Sequence, residues 1–267
     1  MAEKHQGWTR NQLLVAFYLY CQMPFGKMHS KNGDIIKFAA LIGRTPSALA
    51  MKLTNIASLD PAITSTGRKG LTSASASDKK MWEEMQHGWE DFALESQAEV
   101  DALLPTADEM ENDLTSQPLG TADGESPENY VGTEKITQAK IRIGQNFFRR
   151  SVMSAYQNRC CITGLSHSRL LVASHIVPWR WDANNRLNPR NGLCLSALHD
   201  RAFDQGLITL TTEFRVKVSK EIKTGESNLF SSEWLSGIEG KLIALPEKFQ
   251  PDKEFIEWHH AHVFLSE

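Results

Sequence analysis

Residues 101–134 set the first limit on what this chain can build. The stretch contains Pro105, Pro118 and Pro127, several Gly and Ser, few large apolar residues and only negative charge. Such a composition cannot bury enough apolar surface to offset the entropy of ordering it. It reads as an acidic flexible linker between a part at 1–100 and a part at 135–267. Charge divides the same way. From Met81 to Glu134 there are 15 acidic residues and no Lys or Arg, so 17 acidic face 29 basic residues elsewhere, a net of +12. Basic flanks suit a polyanionic ligand.

The part at 1–100 reads as helices. Thr9 can cap an N-terminus while Gln12 reaches back to it, the reciprocal pattern of a capping box. Leu13, Leu14, Phe17 and Tyr20 or Cys21 then form an apolar stripe that ends near Pro24 and Gly26. A second helix is expected over 34–42 with Ile35, Phe38, Ala39 and Ile42 inward. Gly43-Arg44 turns the chain, and Thr45-Pro46 starts a third helix to about Ile56. The result is a trihelical, helix-turn-helix-like module. Ser47, Met51 and Asn55 share the outer face of the third helix, with Arg44 and Lys52 beside it, as a candidate DNA-binding face. A further helix is expected from about Asp78 to Gln97, burying Trp82, Met85, Trp89 and Phe92.

Beyond the linker, helical spacing returns over 135–158, with Ile141, Phe148, Val152 and Tyr156 inward and Arg142 and Arg149 among the basic residues outside. A short strand at Cys161-Ile162 and an apolar strand at 170–173 follow, and the second delivers His175. Asn191 precedes the apolar run Leu193-Cys194-Leu195. Ser196 can cap a two-turn helix over 197–203 that holds His199 and ends before Gly206. Leu207–Leu210 and Arg215–Val218 can form an added hairpin. The tail histidines, His259 foremost, read as terminal packing rather than a second metal site.

Two histidines and an asparagine in this order suit hydrolysis of a phosphodiester. A histidine near neutral pKa can take a proton from water, and a divalent cation can neutralise charge on the phosphate and the leaving oxygen. His175 is the candidate base, Asn191 can pin a backbone or the histidine ring, and His199 is the candidate metal ligand. This reading places both imidazoles beside one ion.

The run Ser174-His175-Ile176-Val177-Pro178, then Asn191, then His199-Asp200 followed by Phe203-Asp204-Gln205-Gly206 resembles the HNH endonucleases. The likeness is to the branch that closes with His-x3-Phe-Asp-x-Gly. The resemblance implies an α+β chain whose C-terminal domain is a ββα-metal nuclease, with His175 as general base, Asn191 as orienting residue and His199 as metal ligand. Many relatives carry Asp or His where this chain has Ser174. A hydroxyl is a poor ligand, which leaves His199, waters and the phosphate to hold Mg²⁺ or Mn²⁺, with Asp200 or Asp204 as helpers. Imidazole also accepts Zn²⁺ or Ni²⁺. The four cysteines, Cys21, Cys160, Cys161 and Cys194, do not form two Cys-x-x-Cys pairs, so no structural zinc is expected.

The expectation is a metal-dependent DNA endonuclease of 135–267 joined to a DNA-binding helical module, with restriction of foreign DNA as a role by analogy. Arg142, Arg149, Arg180 and Arg190, with Arg44 and Lys52 from the helical module, are the expected DNA contacts. Cutting both strands with one site per chain would call for a homodimer. The alternatives are a non-catalytic DNA-binding regulator, an RNA nuclease of the same chemistry, or an interaction module in which His199 is structural. Cysteine usage shows no disulfide framework, and Leu13–Cys21 is too short for a membrane span, so a cytoplasmic setting without membrane contact is expected.

Overall fold

The computed structural model describes residues 7–65, 74–104, 133–224 and 233–266, with main chain only at 133–137, 139 and 224. Most of the basic loop 65–70 and nearly all of the expected linker fall outside the described residues. The described chain is α+β. No helix in it is long and apolar enough to cross a membrane.

Helix α1 (Arg10–Gln22) starts with the expected capping box, Gln12 N donating to Thr9 Oγ1 at 3.3 Å and Thr9 N to Gln12 Oε1 at 3.2 Å. The expected stripe is a whole cylinder: every residue from Leu13 to Cys21 is buried. Helices that bury a helix from several sides select for apolar residues all round it. Here the neighbours are α3 (Pro46–Ala57), α6 (Trp89–Leu103) and α7 (Thr133–Ala155). Phe17 meets Phe92 of α6 edge-on at 6.2 Å, and Tyr18 meets Phe147 of α7 at 6.1 Å. Side chains from both sides of the expected linker thus share one core.

Two buried polar groups strengthen that junction. Lys248, fully buried, donates through Nζ to the main-chain carbonyls of Tyr20, Cys21 and Met23. These lie at the C-terminus of α1, where carbonyls lack helical partners and a cation is favoured. Burial nevertheless lowers the Lys248 pKa to about 8. Asp60 accepts from Tyr20 Oη at 2.7 Å and from Phe249 N at 3.2 Å, and its other oxygen caps α4 (Pro61–Thr64) through Ala62 N.

Helix α2 (Gly33–Leu41) is capped by Asn32, and α3 by Thr45 with Pro46 in its first turn. Gly43 takes a left-handed φ of +66° between them. Ile35, Phe38, Ala39, Leu49, Leu53 and Ile56 are buried as their spacing requires. The single helix expected over 78–97 is two, α5 (Ala76–His87) and α6, because Gly88 leaves helical geometry at φ −147°, ψ 65°.

Strands β1 (Leu171–His175) and β2 (Gly192–Ser196) pair antiparallel, Leu171 opposite Ser196 and His175 opposite Gly192. Helix α7 and helix α8 (Ala197–Asp204) both pack on this ribbon. A second ribbon joins β3 (Ile208–Leu210) to β4 (Val216–Val218), as the sequence suggested, and is followed by α9 (Lys220–Thr224) and α10 (Lys253–His262). The segment Cys161-Ile162 is a turn rather than a strand. It attaches to β2 through Cys161 N donating to Cys194 O at 2.8 Å, and Ala244 N binds Cys161 O in turn. Ile141, expected inward on α7, is 40% exposed.

Candidate active site at the end of the first strand

His175 closes β1. Its ring lies parallel to Phe148 of α7, centroids 3.9 Å apart at 6°, and edge-on to Trp179 at 5.6 Å. Nε2 lies 2.9 Å from the carbonyl of Arg186. A carbonyl can only accept, so Nε2 carries the proton and Nδ1 keeps its lone pair. Among the described residues no hydrogen bond reaches Nδ1. Burial lowers the His175 pKa to about 4, the Arg186 carbonyl opposing it weakly, so the ring is neutral at neutral pH.

The loop after His175 is held from below by Asn191. Its Oδ1 accepts from Val177 N at 2.8 Å, and its Nδ2 donates to Val177 O at 3.0 Å and to Asn185 O at 3.3 Å. Of the two roles open to Asn191, the geometry gives it the backbone rather than the ring. Two glycines let α7 approach. A Cβ at Gly192 would stand 2.4 Å from Val152 Cγ2 and 2.9 Å from Phe148 Cζ, and one at Gly144 would meet Leu187 at 3.0 Å. Gly192 therefore makes the space in which Phe148 reaches the His175 ring.

His199 is placed differently from the expectation. It is fully buried in the first turn of α8. Ser196 Oγ lies 2.7 Å from Nδ1, and the Trp234 carbonyl lies 2.9 Å from Nε2. Both ring nitrogens are thus engaged by protein, and burial lowers the pKa. His175 and His199 share no hydrogen-bond partner among the described residues. The reason is helical: Ser196 caps α8 and lies three residues from His199, which draws the ring to the cap rather than outward.

The next residue round the helix reaches the end of β1. The Asp200 carboxylate lies beside the hydroxyl of Ser174, which favours its ionised form, while burial raises its pKa more strongly. Ser174 Oγ is buried and makes no hydrogen bond of good geometry. Alternate residues of a strand face opposite sides. Ser174 and Asp200 therefore lie on the α8 side of the strand end, and the His175 ring lies on the α7 side. Asp204, one turn on, is raised to about 6 by burial and by the charge of Asp200.

No cluster of three or more His, Cys, Asp or Glu suited to an ion occurs among the described residues. A hydroxyl alone is a poor ligand, but beside the Asp200 carboxylate the unused lone pair of Ser174 can join the donor set of a hard ion. Mg²⁺ commonly takes one or two carboxylates and completes its shell with water and phosphate.

Most of the cations expected on DNA have partners inside the molecule. Lys52 is 6% exposed and grips Asp78 at 2.7 Å, with its ammonium over Trp8 at 4.9 Å. Arg44 donates to Gly7 O and Gln12 Oε1. The outer face of α3 therefore presents Ser47 and Met51 without the lysine expected beside them. Arg149 ties α7 to β1 through Leu171 O at 3.1 Å, and Arg190 pairs with Asp252 at 3.2 Å. Arg142 and Arg180 are exposed.

The site thus combines an antiparallel ribbon with a helix packed on it, a histidine at the strand end and a carboxylate beside the neighbouring Ser174. A family model described as HNH endonuclease matches residues 160–211, the segment that contains the whole ribbon and α8. This part of the chain is similar to the HNH endonuclease family. No curated protein matches the chain. The family supports a nuclease with nucleic acid as substrate, and its members generally use a divalent metal ion.

Proposed function

We propose that the protein is a metal-dependent DNA endonuclease in which His175 Nδ1 takes the proton from the attacking water. The observation that carries this reading is the free nitrogen of a neutral, well-held imidazole at the strand end, one residue from Ser174, whose hydroxyl meets the Asp200 carboxylate. Arg186 O fixes the tautomer, Phe148 fixes the ring plane, and Asn191 holds the loop that supplies Arg186. Asp200 and Ser174 are the residues suited to hold a divalent ion, replacing His199 in that role. When bound, the ion would neutralise charge on the scissile phosphate and the leaving oxygen. Arg142 and Arg180 are the exposed cations that would meet the DNA backbone, which makes binding fall with salt. Restriction of foreign DNA and action as a homodimer extend the same reading.

Supercoiled plasmid incubated with Mg²⁺ or Mn²⁺ tests it. Wild type should nick or cut only with metal. Asp200→Asn should lose at least about a hundredfold in rate, as loss of a transition-state charge stabiliser does. His199→Gln should lower stability by about 1–3 kcal/mol through its buried hydrogen bonds but keep cleavage per folded molecule. Absence of metal-dependent cleavage by wild type would favour the non-catalytic regulator. Loss of cutting in His199→Gln with Asp200→Asn active would restore the histidine as ligand.

A further inference from the structure

The loop that follows His175 exposes an aromatic ring that the fold does not use. Trp181 is 63% exposed, although burying an indole is among the larger apolar gains open to a chain. It is not loosely hung. Trp181 N donates to Pro178 O at 2.9 Å, and its ring lies 6.1 Å from Trp258 of α10 at 50°. Trp258 is backed by His262, stacked at 4.5 Å and 14°. Two rings from a distant helix thus support an indole that still faces solvent.

Charge and position fit a nucleotide. The Arg180 guanidinium sits 5.5 Å from the centre of the Trp181 ring, and among the described residues it has no carboxylate partner. The nearby Asp182 is occupied, one oxygen accepting from Asn184 N and Asn185 N and the other from Asn185 Nδ2. Trp179, two residues before Trp181, touches the His175 ring. Two peptide units span at most roughly 7 Å, about two rises of a DNA strand.

We propose that Trp181, with Arg180 and Trp258, is a stacking platform for an unpaired DNA base one or two nucleotides from the scissile phosphate. The indole takes the face of the base and the guanidinium takes its phosphate. A base inside a duplex is covered on both faces by its neighbours and offers none to the indole, so the platform favours single-stranded or locally opened DNA. This rests on the nuclease reading of the neighbouring site.

Binding of the full chain, in EDTA so that nothing is cut, is measured by fluorescence anisotropy on three labelled oligonucleotides: single-stranded, fully paired, and paired around a mismatched bubble. Replacing Trp181 by Ala should weaken binding to the single strand and the bubble by about tenfold, the scale of one lost base–aromatic stack. Paired DNA should change less than about twofold. Trp181→Phe should recover most of the loss, while a general disturbance of the loop would not be rescued by an aromatic ring. An equal loss on all three substrates, or none, overturns the platform while leaving the nuclease reading intact. Failure of wild type to bind any of the three overturns both.

Discussion

The end of β1 and the join between α8 and α10 each hold a histidine in nearly the same way, His175 half-buried and His259 buried. His175 stacks on Phe148 at 3.9 Å and gives Nε2 to the Arg186 carbonyl at 2.9 Å. His259 stacks on Phe203 at 3.7 Å and gives Nε2 to the Phe203 carbonyl at 3.2 Å. Burial lowers both to a pKa of about 4. They differ at the other nitrogen: His259 Nδ1 lies 2.8 Å from Thr209 Oγ1, and His175 Nδ1 has no such neighbour among the described residues. Burial and a lowered pKa therefore do not mark a reactive imidazole. Under the proposed function the unspent lone pair at the strand end does, because the remaining bonds hold it in one direction.

The sharpest break of this comparison is a pair of substitutions. His175→Ala should cost roughly a hundredfold to ten-thousandfold in the plasmid cleavage rate, the range of a lost general base, and His259→Gln should leave the rate per folded molecule unchanged. Equal effects would make the two sites alike after all. A smaller effect is expected where only the support under His175 is disturbed. Gly192→Ala puts a methyl into Val152 and Phe148, an overpacking that costs about 1–3 kcal/mol. By shifting the base it should lower kcat by about tenfold to a hundredfold with KM unchanged, read by steady-state kinetics on an oligonucleotide.

The remaining effect belongs to the bracing histidine and appears in stability alone. The His259 pKa falls from 6.5 to about 4 on folding. Between those values the unfolded chain binds the extra proton, so this contribution is full above pH 6.5 and is lost as the pH drops towards 4. The loss should be on the order of 3 kcal/mol. Urea unfolding of wild type and His259→Gln at pH 7 and pH 4.5 should show a shallower acid loss in the variant.

Local signals carried much of the architecture. Thr9 with Gln12, Thr45 with Pro46, and Ser196 start helices where their side chains can satisfy free amides, and β3 and β4 pair within the expected hairpin. His175 and Asn191, read as a set from the sequence, meet at one loop, where Asn191 holds the backbone that follows His175. Spacing could not say which face a ring would take. A turn of about 100° per residue separates His199 from Asp200, and the Ser196 cap decides which of the two stays inside. Lys52 looked like a surface cation until Asp78, 26 residues on, was found beneath it. The helix expected over 78–97 failed at Gly88, where one residue without a side chain left helical geometry.

What the sequence determined alone is therefore what short range controls: where helices begin, which residues alternate along a strand, and which order of histidine and asparagine builds a ββα site. Tertiary structure decided whatever depends on groups far apart in the chain. Those are the Arg186 carbonyl on one His175 nitrogen, the Trp234 carbonyl that occupies His199, and the closing of Lys248 over the end of α1. The physical reason is that a polar atom acquires its role from whatever desolvates it and whatever pairs with it. For these groups both come from elements that only folding brings together.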